Sequence, residues 1–232
     1  DGENEIGRGM GMIMDMNESD VREKDNLGDL GPMEGLRREW WKEASVYQIY
    51  VRSFKDSNGD GIGDINGIIE KIPYLEFLGV DAVYLNPVNK SPNDDNGYDV
   101  SDYYDIMEEF GTLEDFKTLI GELHRRGIRL IMDLVINHTS NEHEWALKAK
   151  AGDPDYRDMY GIFPDRTVPD LYERNLREIF PDEHPGAFTW FEDIQSWVWT
   201  TFHSYQWDLD YSNPVVFNRM SEEMLFLANQ GV

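Results

Sequence analysis

The sequence predicts an α/β fold built on a parallel sheet, and three observations carry that expectation. Three short stretches rich in apolar residues, 45–51, 81–88 and 129–138, read as strands. Amphipathic stretches of helical period separate them. The third strand, RLIMDLVINH, is apolar over most of its length, which suits a strand covered on both faces. Strands alternating with helices place crossover helices on the faces of a parallel sheet.

Taken in order, residues 1–38 stand apart. DGENEIGRGMGMIMDMNESD is rich in Gly, Asp, Glu and Met and has no aromatic residue. Such a segment buries too little to offset its ordering entropy, so it reads as a disordered leader or the remnant of an upstream segment. From residue 39 the pattern changes. SVYQIYV is the first strand. NGIIEKIPYLEFLGV is helical, with Pro73 expected to remove a donor and kink it. DAVYLNPV is the second strand. GTLEDFKTLIGELHRRGI opens with Thr112 and Asp115 at capping-box spacing. Its Leu113, Phe116, Leu119, Ile120 and Leu123 make one face, and Gly127 supplies a stop. Residues 39–138 therefore carry three strands and two helices. The excursion over 139–212 is too long for an ordinary loop. It holds Trp145, Trp190, Trp197, Trp199 and Trp207, five of the seven tryptophans, and reads as a small packed subdomain. A last helix occupies 213–232, with Asn213 as cap and Pro214 in the first turn. Val216, Met220, Met224 and Leu227 are expected to share its apolar face.

Composition narrows the function. At 232 residues the chain can form one large domain or two small ones, and 40% hydrophobic residues allow a real core. It has no cysteine, which removes disulfides and thiolate metal sites and fits a cytoplasmic location. No apolar run is long enough for a membrane span, and the acidic N-terminus lacks a signal pattern. With 21 basic and 46 acidic residues the net charge is −25. That charge repels nucleic acid and anionic lipid, and suits a neutral or cationic partner or bound metal ions.

Three motifs carry chemistry. In DSNGDGIGD, Asp56, Asn58, Asp60 and Asp64, with the carbonyl of Ile62, offer hard oxygens at alternating positions, as Ca²⁺ requires. The twelfth position, where an EF-hand needs glutamate, is Gly67, so the loop reads as a calcium loop of another kind or as a polar turn. SPNDDNGYDVSDY follows the second strand and offers Asp95, Tyr98 and Asp99. Carboxylates that accept from hydroxyls, beside an aromatic ring that packs on C–H faces, suit a sugar. In DLVINHTS, Asn137 and His138 are expected to emerge at the top of the third strand beside that loop. Asp133 is expected in a supporting hydrogen bond behind them.

These motifs in this order resemble glycoside hydrolase family 13, the alpha-amylase family, over about residues 40–232. The barrel half looks like the oligosaccharide alpha-glucosidases, sucrose isomerases and trehalose synthases. NHTSNEHEWALKAKAGDPDY and WVWTTFHSYQWDLDYSNPVVF look like the amylosucrases. The resemblance implies a partial TIM barrel: three of the eight βα units, with a B domain inserted at 139–212, ending before strand four. It implies that Asp95 and Tyr98 hold a glucose ring, that His138 binds its primary hydroxyl, and that Asp133, Asn137, Asp99 and Gln206 support them. Asp56, Asn58, Asp60, Ile62 and Asp64 would hold structural Ca²⁺. Asp210 stands where the family usually has asparagine. The implied activity is retaining hydrolysis or transfer of α-glucosides: sucrose, malto- or isomalto-oligosaccharides. The nucleophile Asp and acid Glu would lie beyond Val232, on strands four and five. No catalytic residue is therefore expected within the chain, and the 232 residues alone are expected to be inactive. Two other readings compete, a non-catalytic relative of the family and a calcium-binding interaction module.

Overall fold

The structure, a computed structural model, describes residues 39–232. The expected disordered leader over 1–38 lies outside them. The chain divides into two units, 1–42 and 43–232. In the first, the described residues form a short 3-10 turn, Trp40–Lys42.

The second unit begins with β1 (Val46–Ile49), a single helical turn α1 (Val51–Phe54), α2 (Ile65–Leu78) and β2 (Ala82–Leu85). A short pair, β3 (Asn89–Lys90) and β4 (Asp102–Ile106), precedes α3 (Leu113–Arg125) and β5 (Arg129–Met132). Then come β6 (His138–Ser140), α4 (Glu144–Lys150), α5 (Pro154–Arg157), β7 (Ile162–Phe163) and α6 (Pro169–Glu173). The chain continues through β8 (Phe188–Phe191), β9 (Ser196–Trp199), β10 (Gln206–Asp208) and α7 (Pro214–Gln230). β1, β2 and β5 form the predicted parallel sheet, with Val46 opposite Ala82 and Ala82 opposite Arg129. Ile49, Val83, Leu85 and Leu130 pack there with Ile68, Leu75, Phe116 and Leu119 of the two helices. A second apolar cluster gathers Trp145, Met159, Val198 and Trp207 with Val216 and Met220 of α7. β8 and β9 pair antiparallel with β7 on the other side of β9.

Local signals fix α3. Asp115 N donates to Thr112 Oγ1 at 3.1 Å and Thr112 N donates to Asp115 Oδ2 at 2.9 Å, closing the capping box. Gly127 follows at φ 70°, a left-handed backbone that glycine adopts without strain.

Five expectations need correction. The first strand stops at Ile49 and the chain coils into α1. The second ends at Leu85, not at Val88. The third strand ends at Met132, so Asn137 and His138 do not extend it. Asp133 N makes the last bond to β2, at Leu85 O (2.9 Å). Beyond it, tyrosines take the carbonyls that a ladder would have used. Tyr103 donates its hydroxyl to Val135 O (2.6 Å), and Tyr211 donates to Ile136 O. His138 then belongs to β6, which pairs antiparallel with β10. The last helix was expected to run through Val232, but α7 ends at Gln230. Gly231 caps it at φ 103°, a left-handed turn that stops the helix. Val232 lies past that cap. It is half-buried, packs against the cluster of the parallel sheet and donates its N–H to Leu227 O. On α7, the buried residues are Val216, Met220, Glu223 and Leu227. Met224 is exposed, and a glutamate takes its expected place.

Candidate functional site

The site stands where the parallel strands release their C-terminal ends. The loop after β2 is shaped by Asp99, which is fully buried. Asp99 Oδ1 accepts from Ser91 Oγ (2.8 Å) and Asp95 N (3.1 Å), and its Oδ2 accepts from Asp94 N (3.0 Å). This wraps residues 91–99 around one carboxylate and turns Asp95 and Tyr98 outward, both half-buried.

Asp133, one residue past β5, is the hub beneath them. Its Oδ2 accepts from both Tyr84 Oη (2.7 Å) and Tyr98 Oη (2.8 Å). Burial, then the Asp133 hydrogen bond, pushes the Tyr84 hydroxyl up to about 12. The same causes push the Tyr98 hydroxyl up further. Both stay donors at any ordinary pH. Asp133 thus holds the Tyr98 hydroxyl in place. Tyr84 is a site residue that the sequence reading missed, hidden as one aromatic among the apolar residues of β2.

His138 is buried, and its Nε2 lies 3.0 Å from Tyr98 O. A carbonyl only accepts, so Nε2 carries the proton. Nδ1 then accepts from Asn137 Nδ2 at 3.2 Å. Burial lowers the imidazole's affinity for a second proton, so the ring is neutral. Its Nε2–H is engaged with the Tyr98 backbone, and the ring of Phe202 lies 5.2 Å away. From the other side Gln206 Nε2 donates to Asp95 Oδ2 (2.9 Å), and Gln206 Oε1 accepts from His203 N (3.1 Å). Asp95, Tyr98, Asp133, Asn137, His138 and Gln206 therefore form one connected group. Phe202 and Asp208, which also border it, were not singled out from sequence. Asp208 gave a signal: it stands two residues after Gln206, on the same face of a strand. Asp210 instead turns its carboxylate to Ser212 N. Glu144 of SNEHEW is engaged elsewhere, pairing with Lys148 at 2.6 Å. Val232, the residue past which the catalytic carboxylates are expected, takes no part in the group; its contacts are with the sheet cluster.

The DSNGDGIGD loop lies between α1 and α2. Asp56 Oδ1 accepts from Gly59 N (2.6 Å) and Asn58 N (3.1 Å), and its Oδ2 from Gly61 N (2.8 Å). The Gly61 and Gly59 N–H groups hold the Asp56 carboxyl below its usual range. Asp60 Oδ1 accepts from Ile62 N (2.7 Å) and Asn58 Oδ1 from Asp60 N (2.9 Å). Asp64 caps α2 through Gly67 N (2.6 Å). Burial pushes its carboxyl up, but the N–H groups of Ser57 and Gly67 outweigh that and hold it low. A side chain at Gly67 is impossible here, since a Cβ would lie 1.9 Å from Lys55 O. That excludes the EF-hand glutamate on steric grounds. The donors are the hard oxygens that calcium takes, and a carboxylate has about four lone-pair sites, more than these N–H groups use. Among the described residues, however, no three His, Asp or Glu side chains converge as a metal cluster. None of the described helices is long and apolar enough to cross a membrane.

A family model described as the alpha-amylase catalytic domain matches residues 48–232. The chain is 51% identical over 198 residues to an oligo-1,6-glucosidase of Parageobacillus thermoglucosidasius, covering 85% of this chain and 34% of that protein. It is similar to the solved isomaltulose synthase SmuA from Protaminobacter rubrum, with TM-score 0.77 and 44% identity, over 85% of this chain and 35% of that one. It is similar also to a MutB variant in complex with the substrate sucrose, with TM-score 0.77 and 42% identity, over 85% and 35%. The chain thus spans about a third of the length of these relatives.

Proposed function

Because the chain belongs to the family of the alpha-amylase catalytic domain, we propose that it is the glucose-holding part of a retaining α-glucoside hydrolase or transglucosylase. The parallel strands would be the first of an eight-stranded barrel, with residues 139–212 as its inserted subdomain. The substrate class is a neutral α-glucoside, either sucrose or a malto- or isomalto-oligosaccharide. One observation supports this above others: Asp95, Tyr98 and His138 meet at the strand ends, tied together through Asp133 and Gln206. A glucose ring would lie on Tyr98 and donate hydroxyls to Asp95. His138 would bind the primary hydroxyl after turning Nε2 from the Tyr98 carbonyl.

Calorimetry with maltose and with sucrose tests the reading. Both are expected to bind, and Asp95→Ala is expected to weaken them about tenfold, equivalent to about 1.4 kcal/mol. Retaining chemistry needs two carboxyl groups about 5–5.5 Å apart. The resemblance puts both beyond Val232, on strands four and five, so no glucose release from sucrose by the 232-residue chain is expected. Absence of any sugar binding would favour the non-catalytic reading instead.

Calcium is part of the same proposal. Asp56, Asn58, Asp60 and Asp64 with the Ile62 carbonyl would hold it, and its work would be to rigidify the link between α1 and α2. Ca²⁺ at about tenfold above its Kd should raise stability by about 1.4 kcal/mol. Thermal melts with Ca²⁺ and with chelator would read this, and Asp60→Ala should erase it. An unchanged midpoint in the wild-type chain would reduce the loop to a hydrogen-bonded turn.

A further inference from the structure

We propose that Asp208 is a positioning residue for the sugar pocket. Its carboxylate ties the turn that carries Phe202 and Gln206 to β10, the strand that pairs with the His138 edge. The proposal rests on the glucose-holding reading above and adds how that pocket keeps its shape.

Asp208 lies on β10 directly opposite His138 on β6, and it is 6% exposed. Oδ1 accepts from Thr201 N at 3.2 Å, and Oδ2 accepts from Thr201 Oγ1. Thr201 Oγ1 in turn accepts from Trp199 Nε1 at 2.9 Å. The next residue, Leu209, donates its backbone N–H to Asn137 O at 3.0 Å. The Asn137 amide in turn reaches His138 Nδ1. Side-chain hydrogen bonds therefore run from Trp199 through Thr201 to Asp208, and from Asn137 through His138 to the Tyr98 carbonyl, and the β10–β6 pairing joins the two runs. Residues 201–206, anchored at Thr201, bring Phe202 to the His138 ring and Gln206 to Asp95. The carboxylate thus fixes the wall that carries Phe202 and Gln206 on the strand that pairs with the other wall.

The groups bonded to Asp208 are all neutral. Burial raises its carboxyl to about 6, against the pull of Thr201 and Asn137. Titratable neighbours on the packed elements are His138 on β6, held neutral by burial, and Tyr160, which pairs with Leu209 and is kept protonated by burial. Lys150 of α4 sits over the adjacent Trp207 ring. Protonation would put a donor where the Thr201 N–H and hydroxyl now donate. The N–H cannot accept it, and the hydroxyl can do so only by turning its own proton away, so the bond beside the Trp199 indole reverses.

The test follows the Trp199 indole N–H by NMR and maltose affinity by calorimetry on the 232-residue chain, from about pH 5 to 8. The wild-type indole signal should shift with a midpoint near 6, and maltose affinity should fall about five- to tenfold below it. Asp208→Asn should abolish the indole titration and bind maltose about tenfold more weakly at about pH 7.5. Thr201→Val, which leaves the carboxylate in place, should also weaken binding, and it carries the test if Asp208→Asn does not fold. An indole signal that ignores pH in the wild type, or wild-type affinity in both variants, overturns the proposal while sugar binding itself stands. If the wild type binds no maltose at any pH, the glucose-holding reading fails and Asp208 has no pocket to position, whatever the indole does.

Discussion

Asp133→Ala is expected to lower stability by about 3–5 kcal/mol and to abolish measurable sugar binding. Two hydroxyls, Tyr84 Oη and Tyr98 Oη, donate to a single carboxylate oxygen. A hydrogen bond to a charged group contributes about 1.5–3 kcal/mol, and a donor left unpaired in this half-buried place adds a part of that again. The two losses arise at one position, so they fall together. The geometry also predicts a contrast. Because both hydroxyls use Oδ2, an asparagine at this position can present its amide oxygen to both. Asp133→Asn should therefore cost only about 1 kcal/mol, through loss of the charge. Replacing the whole group, with Asp133→Leu, Tyr84→Phe and Tyr98→Phe together, should recover much of the stability, since no donor is left orphaned. It should not recover sugar binding if the Tyr98 hydroxyl is what holds the ring in place. Urea denaturation of the four chains separates these outcomes. A loss below about 1 kcal/mol in the alanine variant would show that water substitutes freely for the carboxylate.

That hub shows what the sequence could disclose and what it could not. α3 was legible to its first residue, because Thr112, Asp115 and the apolar face around Phe116 act within one short stretch. Asn213 and Pro214 likewise announced the start of α7. The loop from Ser91 to Asp99 was legible as a cluster of acids beside a tyrosine. The end of β5 was not, because the groups that halt the ladder are distant in sequence. Tyr103 is 32 residues from Val135, and Tyr211 is 75 from Ile136. No local pattern around DLVINH announces them. Tyr84 was missed for a related reason, since only its partner at Asp133 distinguishes it from strand filling. Asp208 lay within a motif that was read for Gln206 and Asp210, and its role depends on Thr201. In each case the residue type was visible, and what stayed hidden was a contact made across the fold.

Glu223 is the sharpest case, and it has a measurable consequence. An apolar-first reading of α7 chose Met224, yet positions 216, 220, 223 and 227 are the ones that face inward. Glu223 is 4% exposed, and its Oε2 has no hydrogen-bond partner. Burial raises its carboxyl from 4.5 to about 7. The Tyr104 hydrogen bond and Arg219 oppose the rise, while Asp102 and Glu222 add to it. The folded state therefore holds this proton more tightly than the unfolded chain does. Between about pH 4.5 and 7 the native state binds more protons, so stability falls as pH rises through that window. Above it the full penalty persists, and a carboxyl raised that far corresponds to about 3 kcal/mol. Glu223→Gln carries no charge at any pH and should remove this slope. At about pH 8 it should be more stable than the wild type by up to about 3 kcal/mol, and near pH 4.5 the two should agree. Glu223→Met, which completes the apolar seam with Met220 and Leu227, should do at least as well. Denaturation midpoints measured across that pH range decide the matter. If wild type and Glu223→Gln run parallel from about pH 5 to 8, the carboxylate must reach water in solution, and its burial against β4 is not maintained there.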